Sequence, residues 1–143
     1  MAGSVLALDV GAVRVGVAIA RLDVRLPRPL ITLPRADSAL WAGLTTTIEI
    51  EEVKALVVGF PRGLRGQHTR QTEVIEQFVL ELKQHFPLPV YMQDEALTSK
   101  HAEEELQARG KLYSKEDIDA LAATYILDDW LTEHHEVEVD EAL

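Results

Sequence analysis

The 143-residue sequence has no cysteine, which excludes disulfide bonds, zinc–thiolate sites and thiol nucleophiles. It has no apolar run near the roughly 18–20 residues that cross a membrane. Its start also lacks the basic segment and long apolar segment of a signal peptide. These absences predict a cytoplasmic protein without a membrane partner. The length and the 47% apolar content predict one domain with one core.

Basic residues are scarce, with 14 Lys and Arg against 24 Asp and Glu. The imbalance is uneven: residues 1–72 carry 9 basic and 6 acidic groups, whereas residues 73–143 carry 5 and 18. An acidic protein approaches polyanions poorly because of long-range repulsion. A local basic patch or bound divalent cations would reverse the charge at the point of contact. The alternative is that the acidic half is a solvated face that confers solubility.

Hydrophobic patterning predicts three strands in succession, then helix, strand, helix, strand and two helices. The predicted strands cover residues 5–10, 13–20, 28–33, 55–58 and 89–92, and the helices begin near residues 37, 69, 99 and 114. A three-strand antiparallel meander followed by parallel strands makes a mixed five-stranded α/β sheet with helices on both faces. A ligand site is expected at the carboxyl ends of the central strands.

Local signals predict where several of these helices begin and end. Asp37 or Ser38 is expected to cap the first helix, and Ser114 with Asp117 forms a capping-box pattern for the last. Gly110 is expected to terminate the third helix. The folded domain is predicted to cover residues 1–132. Residues 133–143 contain five acids and no base and are expected to form a flexible acidic tail.

Acidic residues stand at three places in the sequence where acid is least expected. Asp9 interrupts an apolar strand in which an unpaired carboxylate is costly to bury. Asp94 and Glu95 follow the last predicted strand. Asp119 lies inside a helix on a face of small apolar residues that would allow close approach to the sheet. The alternatives are a strand-end acid capping the turn at Gly11, a helix N-terminal acid pair and a solvated helix acid.

Together these acids have the chemistry of a divalent-metal site. Carboxylates from a central strand, a neighbouring strand end and a packed helix are the hard oxygen ligands that Mg²⁺ or Mn²⁺ prefers. Two such ions about 4 Å apart activate a water and stabilise the leaving oxygen of a phosphodiester. The constellation points to this chemistry without being specific for it.

The chain resembles the YqgF/RuvX family of RNase H-like nucleases, whose members are called pre-16S rRNA nucleases or Holliday junction resolvases. Four blocks occur in family order and spacing over about residues 4 to 131. The blocks are Ala7-Leu8-Asp9-Val10-Gly11 through Arg14-Val15-Gly16-Val17-Ala18, Val57-Val58-Gly59-Phe60-Pro61 with Gly66, Asp94-Glu95-Ala96-Leu97-Thr98-Ser99 with Ala102-Glu103, and Asp119-Ala120-Leu121-Ala122-Ala123 to Leu127.

The resemblance implies an RNase H-like fold and an endonuclease that uses Mg²⁺ or Mn²⁺, with two ions expected. The implied substrate is nucleic acid, either pre-16S rRNA in ribosomal precursor particles, processed at its 5′ end, or branched DNA. The implied catalytic acids and metal ligands are Asp9, Glu95 and Asp119, with Asp94 as a further candidate ligand. Arg14 matches the basic residue of the first hairpin and is a candidate nucleic-acid contact.

The sequence departs from the family pattern where phosphate-binding charge is expected. Ala96 follows the Asp-Glu pair in place of a basic residue, and Ala12-Val13 replace a Thr-Lys pair. The best remaining candidate for binding a phosphate backbone is the loop that carries Arg62, Arg65 and Arg70, since arginines suit bidentate phosphate contacts. The alternative is a basic loop without a partner.

Two other functions compete with a nuclease. One is a catalytically weak nucleic-acid-binding or assembly factor that kept the fold but lost basic contacts. The other is a nucleotide-binding protein of the actin and sugar-kinase type, which ranks last because that superfamily needs two such domains. The two Trp and three Tyr are too scattered along the sequence to predict a stacking platform.

Overall fold

The computed structural model describes residues 3–61, 70–95, 98–110 and 112–134, with side chains described for all of these except 61, 95 and 98–100. Over these ranges the chain forms five strands and four helices. In chain order they are β1 (Ser4–Val10), β2 (Arg14–Arg21), β3 (Arg28–Pro34), α1 (Asp37–Ile50), β4 (Val53–Pro61), α2 (Arg70–His85), β5 (Val90–Glu95), α3 (Thr98–Ala108) and α4 (Lys115–Glu133).

The strands form one mixed sheet in the order β3-β2-β1-β4-β5. The pairs β1–β2 and β2–β3 are antiparallel, whereas β1–β4 and β4–β5 are parallel. The predicted meander followed by parallel strands is therefore confirmed. The first half of β1 is completely buried, from Val5 to Leu8. Burial on both faces explains why β1 reads as a continuous apolar run.

Helices cover both faces of the sheet, as predicted. On one face, Leu8 and Val58 of the sheet pack in a cluster with Leu44 of α1 and Phe78 of α2. On the other, Ala7 and Val57 pack in a cluster with residues of α4 that include Ile126, Leu127, Trp130 and Leu131. Helix α3 packs against α4 through Ala102, Leu121 and Ala122. Helix α4, which contains the candidate ligand Asp119, is therefore the helix that covers this face of the sheet.

The fifth strand extends further than predicted. Asp94 and Glu95 are its last two residues rather than the start of the following segment. They pair with Phe60 and Pro61, respectively, because β4 also continues beyond its apolar stretch. The hydrophobic pattern ends at Met92, but backbone pairing with β4 carries the strand three residues further.

The helix-end signals are partly confirmed. The Ser114 side chain accepts a hydrogen bond from the Asp117 amide, and the Asp117 carboxylate accepts one from the Ser114 amide. Gly110 adopts a φ of 69°, the left-handed conformation that suits the residue after a helix. The predicted cap of α1 is wrong: Ala36 occupies the N-cap without a side-chain hydrogen bond. Asp37 lies within the first turn, where its charge still favours the helix dipole.

The last helix ends at Glu133, the first residue of the predicted tail. The Glu133 carboxylate accepts a hydrogen bond of 2.9 Å from Gln93 Nε2, so this residue is tied to β5. The remaining tail, residues 135–143, lies outside the described residues. Within the described part of the chain, no helix has the length and apolar character needed to cross a bilayer.

Candidate active site

Asp9 lies near the carboxyl end of β1, opposite Gly16 of β2. Successive residues of a strand alternate between faces, so Asp9 shares a face with Val5 and Ala7, which pack against α4. Burial and, as the smaller cause, the negative charge of Asp119 together raise the pKa of Asp9 from its ordinary 3.8 to about 6. The two carboxylates therefore lie close enough to repel one another.

Gly16 allows α4 to bring Asp119 to this place. A Cβ atom at position 16 would lie 2.1 Å from the backbone carbonyl oxygen of Asp119, a distance that no side chain tolerates. Because Gly16 is the cross-strand partner of Asp9, the helix backbone touches the sheet beside that carboxylate. The close approach expected from the alanines of α4 is present, and a glycine in the sheet is what permits it.

Arg14, the first residue of β2, forms an ion pair with Asp119. Its Nε donates to Asp119 Oδ2 at 2.6 Å. The hydrogen bond and the charge of Asp119 raise the pKa of Arg14 further above its already high value. The guanidinium is thus paired within the protein through Nε, and the nucleic-acid contact expected of this residue stays a prediction.

The turn between β1 and β2 is held by Arg35, a residue that the sequence reasoning missed. The Arg35 amide donates to the Val13 carbonyl, and its Nη1 donates to the Gly11 carbonyl at 2.7 Å. Its guanidinium carbon lies 5.1 Å from the centre of the Phe78 ring. No motif marks Arg35 in the sequence, because its partners are more than twenty residues away in either direction.

Asp94 and Glu95 are adjacent residues of β5, and adjacent positions of a strand alternate between the two faces of the sheet. Asp94 pairs with Phe60, which belongs to the core beneath α1 and α2, so Asp94 lies on the face opposite Asp9. Position 95 has the same parity as Tyr91 and Gln93, which face α4. Strand register thus separates Asp94 from the Asp9 and Asp119 pair. The side chain of Glu95 lies outside the described part of the structure.

Asp9 and Asp119 supply the hard carboxylate oxygens that Mg²⁺ and Mn²⁺ prefer. Among the described side chains, no group of three or more His, Asp or Glu residues is arranged to hold a metal ion. The described pair is therefore a partial ligand set, which fits a divalent cation in donor type and in charge, since Arg14 balances only one of the two carboxylates.

The remaining predicted nucleic-acid contacts are Arg62, Arg65 and Arg70. Arg62 and Arg65 fall outside the described residues. Arg70 is the first residue of α2 and is exposed. It lines a cavity of about 440 Å³ together with Arg35 and Trp41. Trp41 stacks on His85 with ring centres 3.9 Å apart, so tertiary packing gathers aromatic rings that are scattered in the sequence.

Known structures define the class of protein first. The chain superposes on "T. thermophilus RuvC in complex with Holliday junction substrate" with a TM-score of 0.57, at 17% identity, covering 94% of this chain and 97% of that one. A second match, "Thermus thermophilus RuvC structure", has a TM-score of 0.54 at 16% identity, covering 92% and 96% of the two chains. The fold is therefore RNase H-like, as the sequence resemblance implies.

Sequence comparison then gives the family. Residues 3–133 match the family model described as "RuvX: Holliday junction resolvase". Similar proteins named "Putative pre-16S rRNA nuclease" include those of Chloroflexus aggregans, 39% identical over 90% of this chain and 92% of that protein, and Corynebacterium jeikeium, 38% identical over 90% and 86%. The chain belongs to the RuvX family, and the prediction of an enzyme of the nuclease class is confirmed.

Proposed function

We propose that this protein is a divalent-metal-dependent endonuclease that cleaves pre-16S rRNA during maturation of its 5′ end. The observation that carries the proposal is the pairing of Asp9 and Asp119 at the carboxyl end of the central strand. Two carboxylates that repel each other in a half-buried site destabilise the protein, so their proximity calls for a functional reason.

The proposed ligands are Asp9, Asp119 and Glu95. Bound Mg²⁺ or Mn²⁺, as a pair of ions, would activate the attacking water and stabilise the leaving oxygen of the phosphodiester. Asp9 is held by the central strand and Asp119 by a helix whose backbone contacts that sheet, so both are fixed by the rigid part of the fold. Position 95 alternates with positions 91 and 93, which face α4, and this favours Glu95 over Asp94 as the third ligand.

The proposed grip on the substrate is the arginine-bearing segment between β4 and α2. Strand β4 is parallel to β1, so its carboxyl end lies at the same edge of the sheet as Asp9. Arg70 is exposed at the start of α2, and Arg62 and Arg65 precede it in sequence. Arginines at this edge would hold phosphates near the acids, while the acidic half of the chain discourages binding elsewhere.

The preference for RNA rests on the sequence relatives. Proteins named for pre-16S rRNA are 33–39% identical to this chain over most of its length. The RuvC structures, at 16–17% identity, share the fold alone. An rRNA precursor also implies ribosomal precursor particles as partners and the cytoplasm as the place of action. Cleavage of branched DNA is the second candidate, because the family description names a Holliday junction resolvase.

The proposal is tested by cleavage of two labelled substrates, a pre-16S rRNA 5′ fragment and a four-way DNA junction, with Mg²⁺, Mn²⁺ or EDTA. We expect the wild type to cut the RNA only with metal. Asp9→Asn and Asp119→Asn should reduce cleavage to background, since each removes a proposed ligand. Asp23→Asn is the matched control, because Asp23 is an exposed acid that pairs with Arg21.

The outcomes separate the competing functions. Cleavage of the junction alone would assign the resolvase activity. Binding of RNA without cleavage in either metal would favour the assembly-factor hypothesis. Full activity of Asp9→Asn would overturn the proposed site.

A further inference from the structure

The ion pair between Arg14 and Asp119 joins residues 105 positions apart in the chain. It uses one nitrogen of the guanidinium, Nε, and one oxygen of the carboxylate, Oδ2. Both side chains are largely shielded from solvent, with exposed fractions of 29% and 19%. An ion pair in such a place is fixed more firmly than one on the surface.

Both partners stand on backbone that is itself held in place. The Gly11 amide donates to the Arg14 carbonyl and closes the turn between β1 and β2. At the first turn of α4, Thr32 Oγ1 donates to the Glu116 carbonyl at 2.8 Å, which ties the helix to β3. The contact at Gly16 fixes the backbone of Asp119 itself. The geometry of the ion pair is therefore set by the fold before any ligand arrives.

Asp9 lies on the sheet face that meets α4, because its cross-strand partner Gly16 is in contact with the Asp119 backbone. The ion pair with Arg14 engages Oδ2 of Asp119 and leaves the second carboxylate oxygen, Oδ1, outside that contact. One oxygen of Asp119 is therefore not used by the arginine, on the face of the sheet that carries Asp9.

We propose that Arg14 is a positioning residue that holds Oδ2 of Asp119, so that Oδ1 is presented to a divalent cation shared with Asp9. This inference rests on the proposed metal-dependent function and deepens it. An aspartate with one oxygen anchored has lost the freedom to rotate away from a cation, so less order is lost when the cation binds. Arg14 acts through Asp119 and does not contact the scissile phosphate.

Charge and positioning predict opposite effects when Arg14 is replaced. Loss of a positive charge beside the site should tighten the binding of a dication if electrostatics alone mattered. Loss of the anchor should weaken it, because Asp119 becomes free to rotate. The sign of the change in Mn²⁺ affinity therefore decides between the two roles.

The experiment is a calorimetric titration of Mn²⁺ into the full-length chain and its variants, without nucleic acid. We expect Arg14→Gln to weaken Mn²⁺ binding by about 10-fold or more, the cost typical of losing a residue that orients a metal ligand. Arg14→Lys should recover part of the affinity, since an ammonium group can donate to the same oxygen. The control is Arg28→Gln, which removes the same charge from an exposed position of β3 and should leave the affinity unchanged.

Each result supports or overturns the inference. Unchanged or tighter Mn²⁺ binding by Arg14→Gln overturns it while leaving the proposed function intact. A loss of RNA affinity in EDTA with normal Mn²⁺ binding also overturns it, and assigns Arg14 to the substrate. A wild type that binds no Mn²⁺ overturns the metal site as well. If Arg14→Gln fails to fold, Arg14→Lys decides, because it keeps the charge and only an anchoring role predicts weaker binding.

Discussion

The two ends of α4 are attached to the sheet in different ways. At the first end, the helix backbone touches Gly16, and Asp119 forms an ion pair with Arg14. At the other end, large apolar side chains, among them Trp130 and Leu131, are almost completely buried. Burial of several such side chains contributes more free energy than a single partly shielded ion pair. The far end therefore anchors the helix, which lets the near end carry a carboxylate that costs stability.

The far end is also closed by a basic side chain. Arg25, in the connection between β2 and β3, donates to the carbonyls of Leu131 and His134 at 2.8 and 2.7 Å. These carbonyls lack partners within the helix, and a cation near them complements the helix dipole. The His134 ring stacks on Trp130 with ring centres 4.6 Å apart. Polar and apolar contacts at this end all serve stability, whereas those at the near end serve the candidate site.

The largest effect is expected from Trp130→Ala at the anchoring end. Trp130 is 1% exposed, and truncating a buried tryptophan costs about 3–5 kcal/mol in the free energy of unfolding. Urea denaturation measures this loss. The folded variant, titrated with Mn²⁺ at low temperature, should keep the wild-type affinity because the candidate site lies at the other end of the helix.

Trp130→Phe is the matched control. The indole Nε1 is buried and has no hydrogen-bond partner in the described structure, so phenylalanine sacrifices no hydrogen bond. We expect this variant to lose clearly less stability than Trp130→Ala, because the phenyl ring fills most of the space of the indole and leaves a smaller cavity. A large loss in Trp130→Phe, or a lost Mn²⁺ affinity in Trp130→Ala, would contradict the division between the two ends.

At the near end, Asp9→Asn should stabilise the metal-free protein in a pH-dependent way. The pKa of Asp9 is about 6 in the folded protein and 3.8 at its ordinary value. The folded state thus holds the proton more tightly, so stability falls as pH rises from about 4 to 6. Above pH 6 the penalty is complete, at about 1–3 kcal/mol for a half-buried group. Asparagine removes that penalty.

Urea denaturation of both proteins in EDTA, at pH 4.5 and at pH 8, measures this difference. The gain from Asp9→Asn should be largest at pH 8 and small at pH 4.5. Adding millimolar Mg²⁺ should raise the melting temperature of the wild type but not of the variant, since a ligand stabilises only the state that binds it. Equal stabilities at both pH values, with and without metal, would show that Asp9 experiences no repulsion.

An effect of similar size but opposite sign is expected from Gly16→Ala, which tests the backbone contact. The added methyl group would meet the Asp119 carbonyl, which belongs to the helix backbone and cannot rotate away. We expect a loss of about 1–3 kcal/mol from overpacking, together with weaker Mn²⁺ binding, because α4 must move. Denaturation and metal titration measure the two effects.

Gly59→Ala is the control, because Gly59 lies in β4 on the sheet face that packs against α4. There the new methyl group would meet the Cδ1 atom of Ile126, the end of a flexible side chain. Its cost should be smaller, with Mn²⁺ affinity unchanged. Similar losses of metal affinity in both glycine variants would mean that the site responds to any shift of α4, and not to the contact at Gly16 in particular.

The sequence by itself determined much of the fold because the relevant signals are short-range. The apolar run around Leu6 and Leu8 specifies a central strand, and the amphipathic stripe of α2 specifies a helix. The reciprocal hydrogen bonds of Ser114 and Asp117 span only three residues. The sequence also indicated a buried carboxylate at Asp9, because a single acid within an apolar strand is unusual whatever residues surround it in the fold.

Only the tertiary structure decided which groups meet at the site. Pairing with β4 placed Asp94 and Glu95 inside β5, at adjacent positions that belong to opposite faces of the sheet. No local sequence pattern reveals this. The ion pair of Arg14 with Asp119 and the hold of Arg35 on Gly11 depend on strands and a helix brought together by the core. Hydrophobic burial is non-directional and selects the packing, and the polar contacts then follow from whichever side chains that packing leaves adjacent.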